Sequence, residues 1–367
     1  MTRAMNFNAG PAALPLAALE RAREELLDFE GSGMSVMEHS HRGKVYEKVH
    51  NEALALVAEL LGVKADEYDV LFLQGGASMA FATIPMNFFE HGKTADYVVT
   101  GAWGEKAVSE ARVVGTLQGG RVNVSASATT AVPKQDDLRI TDGAAYLHCT
   151  SNETIHGVEY ALDPSTPFPT TKSPLFCDMS SDILGRKIDA SKFDLIYAGA
   201  QKNIGPSGVT IFVLKKEMVA RGRKDIPVIF QFRTHAESQS LYNTPPTFGI
   251  YLIRNTLTWM KAEGGVAAME TRNKKKAGAI YEAIDGSGGF YKCPVEKASR
   301  SIMNVVWRLP TPELEDEFVK AATKERMIGL KGHRSVGGIR ASLYNAVEPA
   351  WCDALATFMK EFAKKKG

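Results

Sequence analysis

The chain has 367 residues, 44% of them hydrophobic and 23% charged, with a formal net charge of +2. That length suits two domains and that composition a globular protein, while so small a net charge gives no reason to expect nucleic acid as a partner. No apolar run approaches the length of a membrane-spanning helix, and the start MTRAMNFNAGPAALP lacks the apolar stretch of a secretory signal.

MNFNAGPAALP is rich in Asn, Gly and Pro and predicts an extended, turn-rich arm. Leucines at 14, 16, 19, 26 and 27 among charges predict an amphipathic helix through LPLAALERAREELLDF, closed by Gly31-Ser32-Gly33. After the loop MSVMEHSHRG a second helix runs through KVYEKVHNEALALVAELLG and stops at Gly62. DVLFL, 69–73, is a strand that leads directly into Gln74-Gly75-Gly76-Ala77-Ser78 and then into the helical MAFATIPMNFF. Strand, glycine turn, small hydroxyl residue and helix is how a chain presents backbone N–H groups to a phosphate, although the same pattern also makes a plain tight connection. ADYVVTG is another strand, with Ala102-Trp103-Gly104 at the head of the next helix. Trp103 either packs at the rim of the core or stacks on a flat heterocycle. AAYLHCTSNETIHGVEY reads as a strand ending near Cys149 and then a polar loop, in which Thr154 hydrogen-bonds a ligand or merely steadies the loop.

From Pro174 to Lys215 come three short apolar runs separated by polar turns, the pattern of buried strands in a mixed α/β sheet. The first, PLFCD, stops on Asp178; the second, FDLIYAGAQK, stops on Lys202; the third, GVTIFVLK, follows a Gly-Pro-Ser-Gly breaker. Ligands collect at strand ends in such sheets, so an acid and a lysine there can meet across one small ligand. Pyridoxal phosphate (PLP) has the matching needs, a carbonyl for an amine and a ring nitrogen for a carboxylate. The plain alternative makes Asp178 a turn cap and Lys202 a surface residue.

KKEMVARG is a short helix, and residues 225–247 form a long turn-rich segment containing Asn243-Thr244 and Pro245-Pro246, functional or interfacial in character. Two helices follow, FGIYLIRNTLTWMKAEGG and VAAMETRNKKKAGAIYEAI, with Lys274-Lys275-Lys276 on a solvated face. SIMNVVWRL (strand), PELEDEFVKAATKERM (helix), GGIRASL (strand) and EPAWCDALATFMKEFAKKK (helix) make a small α/β domain. The basic loop Lys331-Gly332-His333-Arg334-Ser335 precedes its second strand, and Arg340 lies inside that strand, where an arginine needs a carboxylate partner. Cys149, Cys177, Cys293 and Cys352 are scattered without a C-x-x-C pair, which points to reduced thiols in a cytoplasmic protein, with no disulfide framework and no structural zinc.

In order, NFNAGPAALP, SVMEHSHRG, QGGAS, GAWG, SNETIHGVE, FCDMSSDILGRKID, DLIYAGAQKNIGPSGV, YNTPPTF and GHRSVGGIRASLYNA cover nearly the whole chain. On these segments the chain resembles the class V branch of the fold-type I PLP-dependent enzymes, in its phosphoserine aminotransferase family. The resemblance implies an aspartate-aminotransferase-like α/β fold. A large PLP-binding domain, 17–263, would hold a central, mostly parallel seven-stranded sheet flanked by helices; a smaller domain would combine the arm 1–16 with the C-terminal α/β segment 264–367. It implies that Lys202 forms the internal aldimine with PLP, Asp178 faces the pyridine nitrogen, Trp103 stacks on the ring and Thr154 bonds the ring 3-oxygen. Ala77, Ser78 and Gln201 would hold the phosphate, with Asn243 and Thr244 from the neighbouring subunit of a homodimer. Arg340 would clamp the substrate α-carboxylate. His41 and Arg42 from the partner would join His333 and Arg334 around a distal phosphate or the glutamate side chain. Some relatives carry Gly-Arg in the phosphate turn where this chain has Ala77-Ser78, a pair that still supplies backbone donors and a hydroxyl.

The implied activity is transfer of the amino group of L-glutamate to 3-phosphohydroxypyruvate, giving O-phospho-L-serine and 2-oxoglutarate, in serine biosynthesis. A related substrate, 4-phosphohydroxy-L-threonine of vitamin B6 synthesis, fits the same pattern. The alternatives are another class V enzyme, such as a serine–glyoxylate aminotransferase or a cysteine desulfurase, or a non-catalytic α/β ligand-binding protein. No cysteine is an obvious desulfurase nucleophile, and no G-x-G-x-x-G follows a strand. His39 and His41 lack the H-E-x-x-H or carboxylate company of a metal site.

Overall fold

The computed structural model describes residues 3–367, so the first two residues of the arm lie outside the described part. Seven apolar and β-branched runs pair into one sheet: β1 (Tyr68–Gln74), β2 (Thr94–Val99), β3 (Arg121–Ser127), β4 (Leu147–Thr150), β5 (Leu175–Asp178), β6 (Leu195–Gly199) and β7 (Val209–Lys215). In space they run β1-β7-β6-β5-β4-β2-β3. β7 is antiparallel to both of its neighbours, and every other pair is parallel. Parallel strands need helices on both faces, and β4, β5 and β6 are accordingly buried at every residue.

On one face α2 (Lys44–Leu61) and α5 (Thr247–Ala262) contribute Ala53, Val57, Ile253 and Leu257 to a core shared with Leu147, Cys177 and Ile196 of the sheet. On the other, α3 (Gly76–Phe88) and α4 (Ala102–Leu117) pack Phe81, Ile84, Val108 and Ala111 against Tyr97, Phe176 and Tyr197. Because β4, β5 and β6 are parallel, with Thr150 opposite Asp178 and Asp178 opposite Tyr197, their C-terminal ends open on one edge of the sheet.

A second core is built on the antiparallel pair β8 (Asn304–Trp307) and β9 (Ile339–Ser342). Trp307, Phe318 and Phe362 fill it with side chains from α6 (Gly265–Asp285), α7 (Pro312–Lys324) and α8 (Pro349–Lys366). The N-terminal arm joins this core through Phe7 and Ala13, and its residues Met5–Asn6 pair in parallel with Met327–Ile328. A buried ion cluster ties the two cores together behind the strand ends. Arg186 Nε lies 3.0 Å from Glu159 Oε1 and its Nη2 3.4 Å from Asp182 Oδ2, while Ser301 Oγ and the Ile302 amide both donate to Glu159 at 2.9 Å.

Five local expectations change. The first helix spans only Leu16–Glu24; the chain then turns so that Tyr251 Oη donates to Glu25 at 2.6 Å and Phe29 packs edge-on to the Tyr251 ring, leaving Leu27 83% exposed. β3 is an unforeseen edge strand, half-exposed and entered through Gly119-Gly120. The SNETIHGVE stretch is no polar surface loop but a buried hairpin, Asn152–Glu153 against Val158–Glu159, whose polar groups bond one another and the ion cluster. The segment 225–247 contains a helix, Phe232–Glu237. Lys276 leaves the solvated face assigned to it: it is fully buried and donates to the Leu343 and Tyr344 carbonyls, just past the end of β9, at 2.7 Å.

Candidate active site

Asp178 closes β5, and Lys202 stands just beyond the end of β6, the neighbouring parallel strand. Ser180 fixes the acid: its amide and hydroxyl both donate to Asp178 Oδ1, and the same hydroxyl accepts the Gly199 amide from the end of β6. Lys202 is half-buried; its Nζ donates to Thr154 Oγ1 at 2.7 Å and lies 4.8 Å from the centroid of the Trp103 ring. The N-terminal arm covers its stem, with Gly10 against Lys202 Cγ and the Ala12 amide donating to the Gln201 carbonyl at 2.9 Å.

Burial pulls the pKa of Lys202 down; the charges of Asp178 and Glu153 oppose that shift, and Arg340 reinforces it. Burial likewise pushes Asp178 up, against the attraction of Lys202 and the bonds from Ser180. The outcome is a desolvated amine beside two carboxyl groups in a low-dielectric cleft, the setting in which proton-transfer groups are tuned.

Arg340, in β9, reaches from the second core to donate to the Thr154 carbonyl at 3.4 Å. Among the described residues no carboxylate pairs with it, and its buried Nε has no partner. A cavity of about 290 Å³ opens beside it, walled by His156, His333, Arg308, Thr129, Thr130 and Trp307 among others. His333 is half-buried, its ring bonded to the Ser335 hydroxyl at 2.7 Å, and burial together with Arg340 and Arg334 holds its pKa down. Arg334 is exposed.

The glycine turn enters α3 as expected. Gly75, at φ 105°, is the residue before the helix, and a Cβ there would meet the Met79 Cβ at 2.4 Å, so only glycine fits. Ala77 and Ser78 lie in the first helical turn, whose N–H groups have no helical acceptor. Gln201 has a buried side-chain oxygen without a partner. Asn243 and Thr244 are exposed near the same turn; the Gln74 amide donates to the Thr244 carbonyl at 3.1 Å.

His41 and Arg42 stand apart. They sit in the loop between α1 (Leu16–Glu24) and α2, His41 half-buried with an unpartnered Nε2 and Arg42 exposed. Within the described residues of this chain no hydrogen bond or ion pair joins either to Lys202, His333 or Arg340. So one chain assembles Asp178, Lys202, Trp103, Thr154 and Arg340, and leaves His41 and Arg42 outside.

Three neighbours were not singled out beforehand. Ser180 is one. Glu153 is fully buried and accepts the Gly104 amide at 2.9 Å and the Trp103 amide at 3.3 Å. His156 has a buried Nδ1 without a partner. All three lie in segments whose other residues drew attention; the missing signal was burial, which composition does not show.

The cleft therefore presents an amine, a carboxylate, an indole face, a hydroxyl and a helix N-terminus, with Trp103 Nε1, Gln201 Oε1 and Arg340 Nε buried and unpartnered. These are the complements of PLP: aldehyde, ring nitrogen, flat ring, ring oxygen and phosphate. The residues fit the group.

A family model described as Aminotransferase class-V matches residues 4–355. A phosphoserine aminotransferase from Niallia circulans is 52% identical over 366 residues, covering 100% of this chain and 99% of the relative. The solved structure of phosphoserine aminotransferase from Bacillus circulans subsp. alkalophilus superimposes with a TM-score of 0.94 at 51% identity, covering 100% of this chain and 99% of that one. A PLP-bound phosphoserine aminotransferase from Trichomonas vaginalis gives a TM-score of 0.92 at 38% identity, over 98% of this chain and 100% of that one.

Proposed function

The chain belongs to the class-V aminotransferase family, and from that premise we propose how its own residues carry out the work of a PLP-dependent phosphoserine aminotransferase. The enzyme moves the amino group of L-glutamate to 3-phosphohydroxypyruvate, yielding O-phospho-L-serine and 2-oxoglutarate. The observation that carries the proposed roles is the pairing of Asp178 and Lys202 at adjacent strand ends, with the lysine amine over Trp103 and bonded to Thr154.

PLP, when bound, supplies an aldehyde for the amino group and a ring that accepts the electron pair left by the departing α-proton. Lys202 would hold the cofactor through Nζ, and its amine, whose pKa burial pulls down, would act as the base that takes the proton from the substrate Cα and returns it. Asp178, oriented by Ser180, would keep a proton on the ring nitrogen by its negative charge. Trp103 would lie against the ring, and Thr154 would hold the ring oxygen. The N–H groups of Ala77 and Ser78 at the start of α3 would hold the phosphate with Gln201, and Asn243 and Thr244 of a second copy would complete its shell.

Arg340, with no carboxylate partner among the described residues, would take the substrate α-carboxylate in its planar fork. His333 and Arg334, joined by His41 and Arg42 of a second copy, surround the distal phosphate or the glutamate carboxylate. The homodimer belongs to this proposal. It is supported by exposed apolar side chains in the segments concerned: Leu27, Met34 and Met37 in the same interhelical loop as His41, Met79 and Ile229 lining a pocket with Asn243, and Tyr242 next to it in sequence. The division into a large domain, 17–263, and a small one, 1–16 with 264–367, is part of it too, supported by the arm's place in the second core. The free state of all four cysteines supports a cytoplasmic location. The cavity beside Arg340 supports room for the one-carbon-longer 4-phosphohydroxy-L-threonine as well.

The test is transfer by the purified, PLP-loaded protein, followed as 2-oxoglutarate formed from L-glutamate. Turnover should depend on 3-phosphohydroxypyruvate. Turnover with glyoxylate and none with 3-phosphohydroxypyruvate would assign the site to a different keto acid.

A further inference from the structure

We propose that Glu153 is a positioning residue of this centre: its carboxylate ties the start of α4, with Trp103, to the hairpin that carries Thr154, and so fixes the slot in front of Lys202. The inference rests on the PLP reading above and deepens it.

The first N–H groups of a helix lack helical acceptors, and a Ser, Thr, Asn or Asp at the helix's own N-cap usually supplies one. The N-cap of α4 is Gly101, which has no side chain to do so. The acceptor comes instead from Glu153, some fifty residues along the chain, through its two oxygens. The amides it takes belong to Trp103 and to the residue after it, so the indole is fixed at its root. Gly101 also makes room for the arrangement. A Cβ there would lie 2.8 Å from the Glu153 carboxylate and 2.4 Å from His156 Nδ1, while its φ of 161° is open to any residue.

On its other side Glu153 is continuous with Thr154, whose hydroxyl accepts the Lys202 amine and whose carbonyl accepts Arg340. One carboxylate thus holds the stacking ring, the hydroxyl beside the lysine and the anchor of the proposed carboxylate clamp. The groups facing it are the α4 amides, Lys202, Asp178 and His156. Burial raises its pKa to about 7, the two amides and Lys202 oppose the rise, and Asp178 adds to it. The neighbours it holds favour its charged form, and burial opposes them.

The experiment compares full-length wild type with Glu153→Gln, Glu153→Asp and Gly101→Ala. Each is stripped of PLP and titrated with it, by tryptophan fluorescence and by the visible band, and the Tm of each cofactor-free protein is measured. Glutamine keeps the shape but can accept only one of the two amides well, so affinity for PLP should fall about tenfold, the loss of one charge-assisted hydrogen bond, with a displaced band. Glu153→Asp should recover part of the affinity. Gly101→Ala, which leaves the charge and crowds both the His156 ring and the carboxylate, should weaken binding at least as much as Glu153→Gln does. Wild-type affinity and an unchanged band in Glu153→Gln would overturn the proposal. So would affinity losses that only track the fall in Tm across the three variants, the mark of a helix cap and nothing more. A wild-type chain that takes up no PLP overturns the reading of the site itself, which separates the two failures.

Discussion

Replacing Arg334 with alanine should separate the two substrates. The side chain is exposed, so its removal should cost the fold little, and Tm should hold. Its proposed work is on the dianionic phosphate, where one charge-assisted hydrogen bond is worth about 1.5–3 kcal/mol, or roughly ten- to hundredfold in kcat/KM. The side-chain carboxylate of glutamate carries a single charge at an exposed rim, where an ion pair is worth ~0.2–1 kcal/mol, less than about fivefold. Arg340→Ala provides the contrast. Both substrates present an α-carboxylate to that half-buried, unpaired guanidinium, so both kcat/KM values should fall together. The assay is steady-state kinetics with each substrate varied in turn, giving a separate kcat/KM for 3-phosphohydroxypyruvate and for glutamate. Equal losses for the two substrates in Arg334→Ala would refute the division of labour between the two arginines.

Lys202→Met keeps the length of the stem and removes the amine, so transamination should vanish while Tm holds or rises slightly, because a desolvated amine has been replaced by an apolar end; surviving turnover would exclude the lysine's role. Gly75→Ala puts a side chain at φ 105° and 2.4 Å from Met79, which should destabilise the protein by about 1–3 kcal/mol and weaken PLP binding through the proposed phosphate turn, read as Tm and dissociation constant. Lys276 bears on pH. Burial lowers its pKa from 10.5 to about 7, so between those values the unfolded chain binds more protons than the folded one, and stability should rise with pH across that window. Denaturant midpoints should show wild type gaining on Lys276→Met from pH 7 toward 10.5, by on the order of a few kcal/mol at most; a parallel pair of curves would refute the buried amine's contribution.

The sheet and its strand ends were legible because the signals are local. Short apolar runs between Gly and Pro turns predict β5, β6 and β7, and the polar residues that stop the first two runs, Asp178 and Lys202, fall at the opening edge of the sheet, while β7 runs the other way and puts Lys215 at the opposite edge. Arg340 was conspicuous as a charge inside an apolar strand, and its lack of a carboxylate partner among the described residues is what a ligand anchor needs. Glu153 gave no such signal. A carboxylate among Ser, Asn and Thr reads as solvent-exposed, and only the packing of the hairpin against α4 buries it. Lys276 was hidden inside a run of lysines, although it shares a helix face with Asn273, Ala277 and Ile280, all buried, and that spacing was available. His41 and Arg42 mark a different limit. Their proposed role depends on a second copy of the chain, and no pattern within one copy brings them to Lys202.

The central claim is that Lys202 carries the cofactor. Borohydride reduction of the PLP-loaded protein, followed by proteolysis and mass spectrometry, tests it most directly. The account predicts a phosphopyridoxyl group on Lys202, in the peptide that follows β6, and its loss in Lys202→Met. A stable label on any other lysine, with Lys202 unmodified, would contradict it.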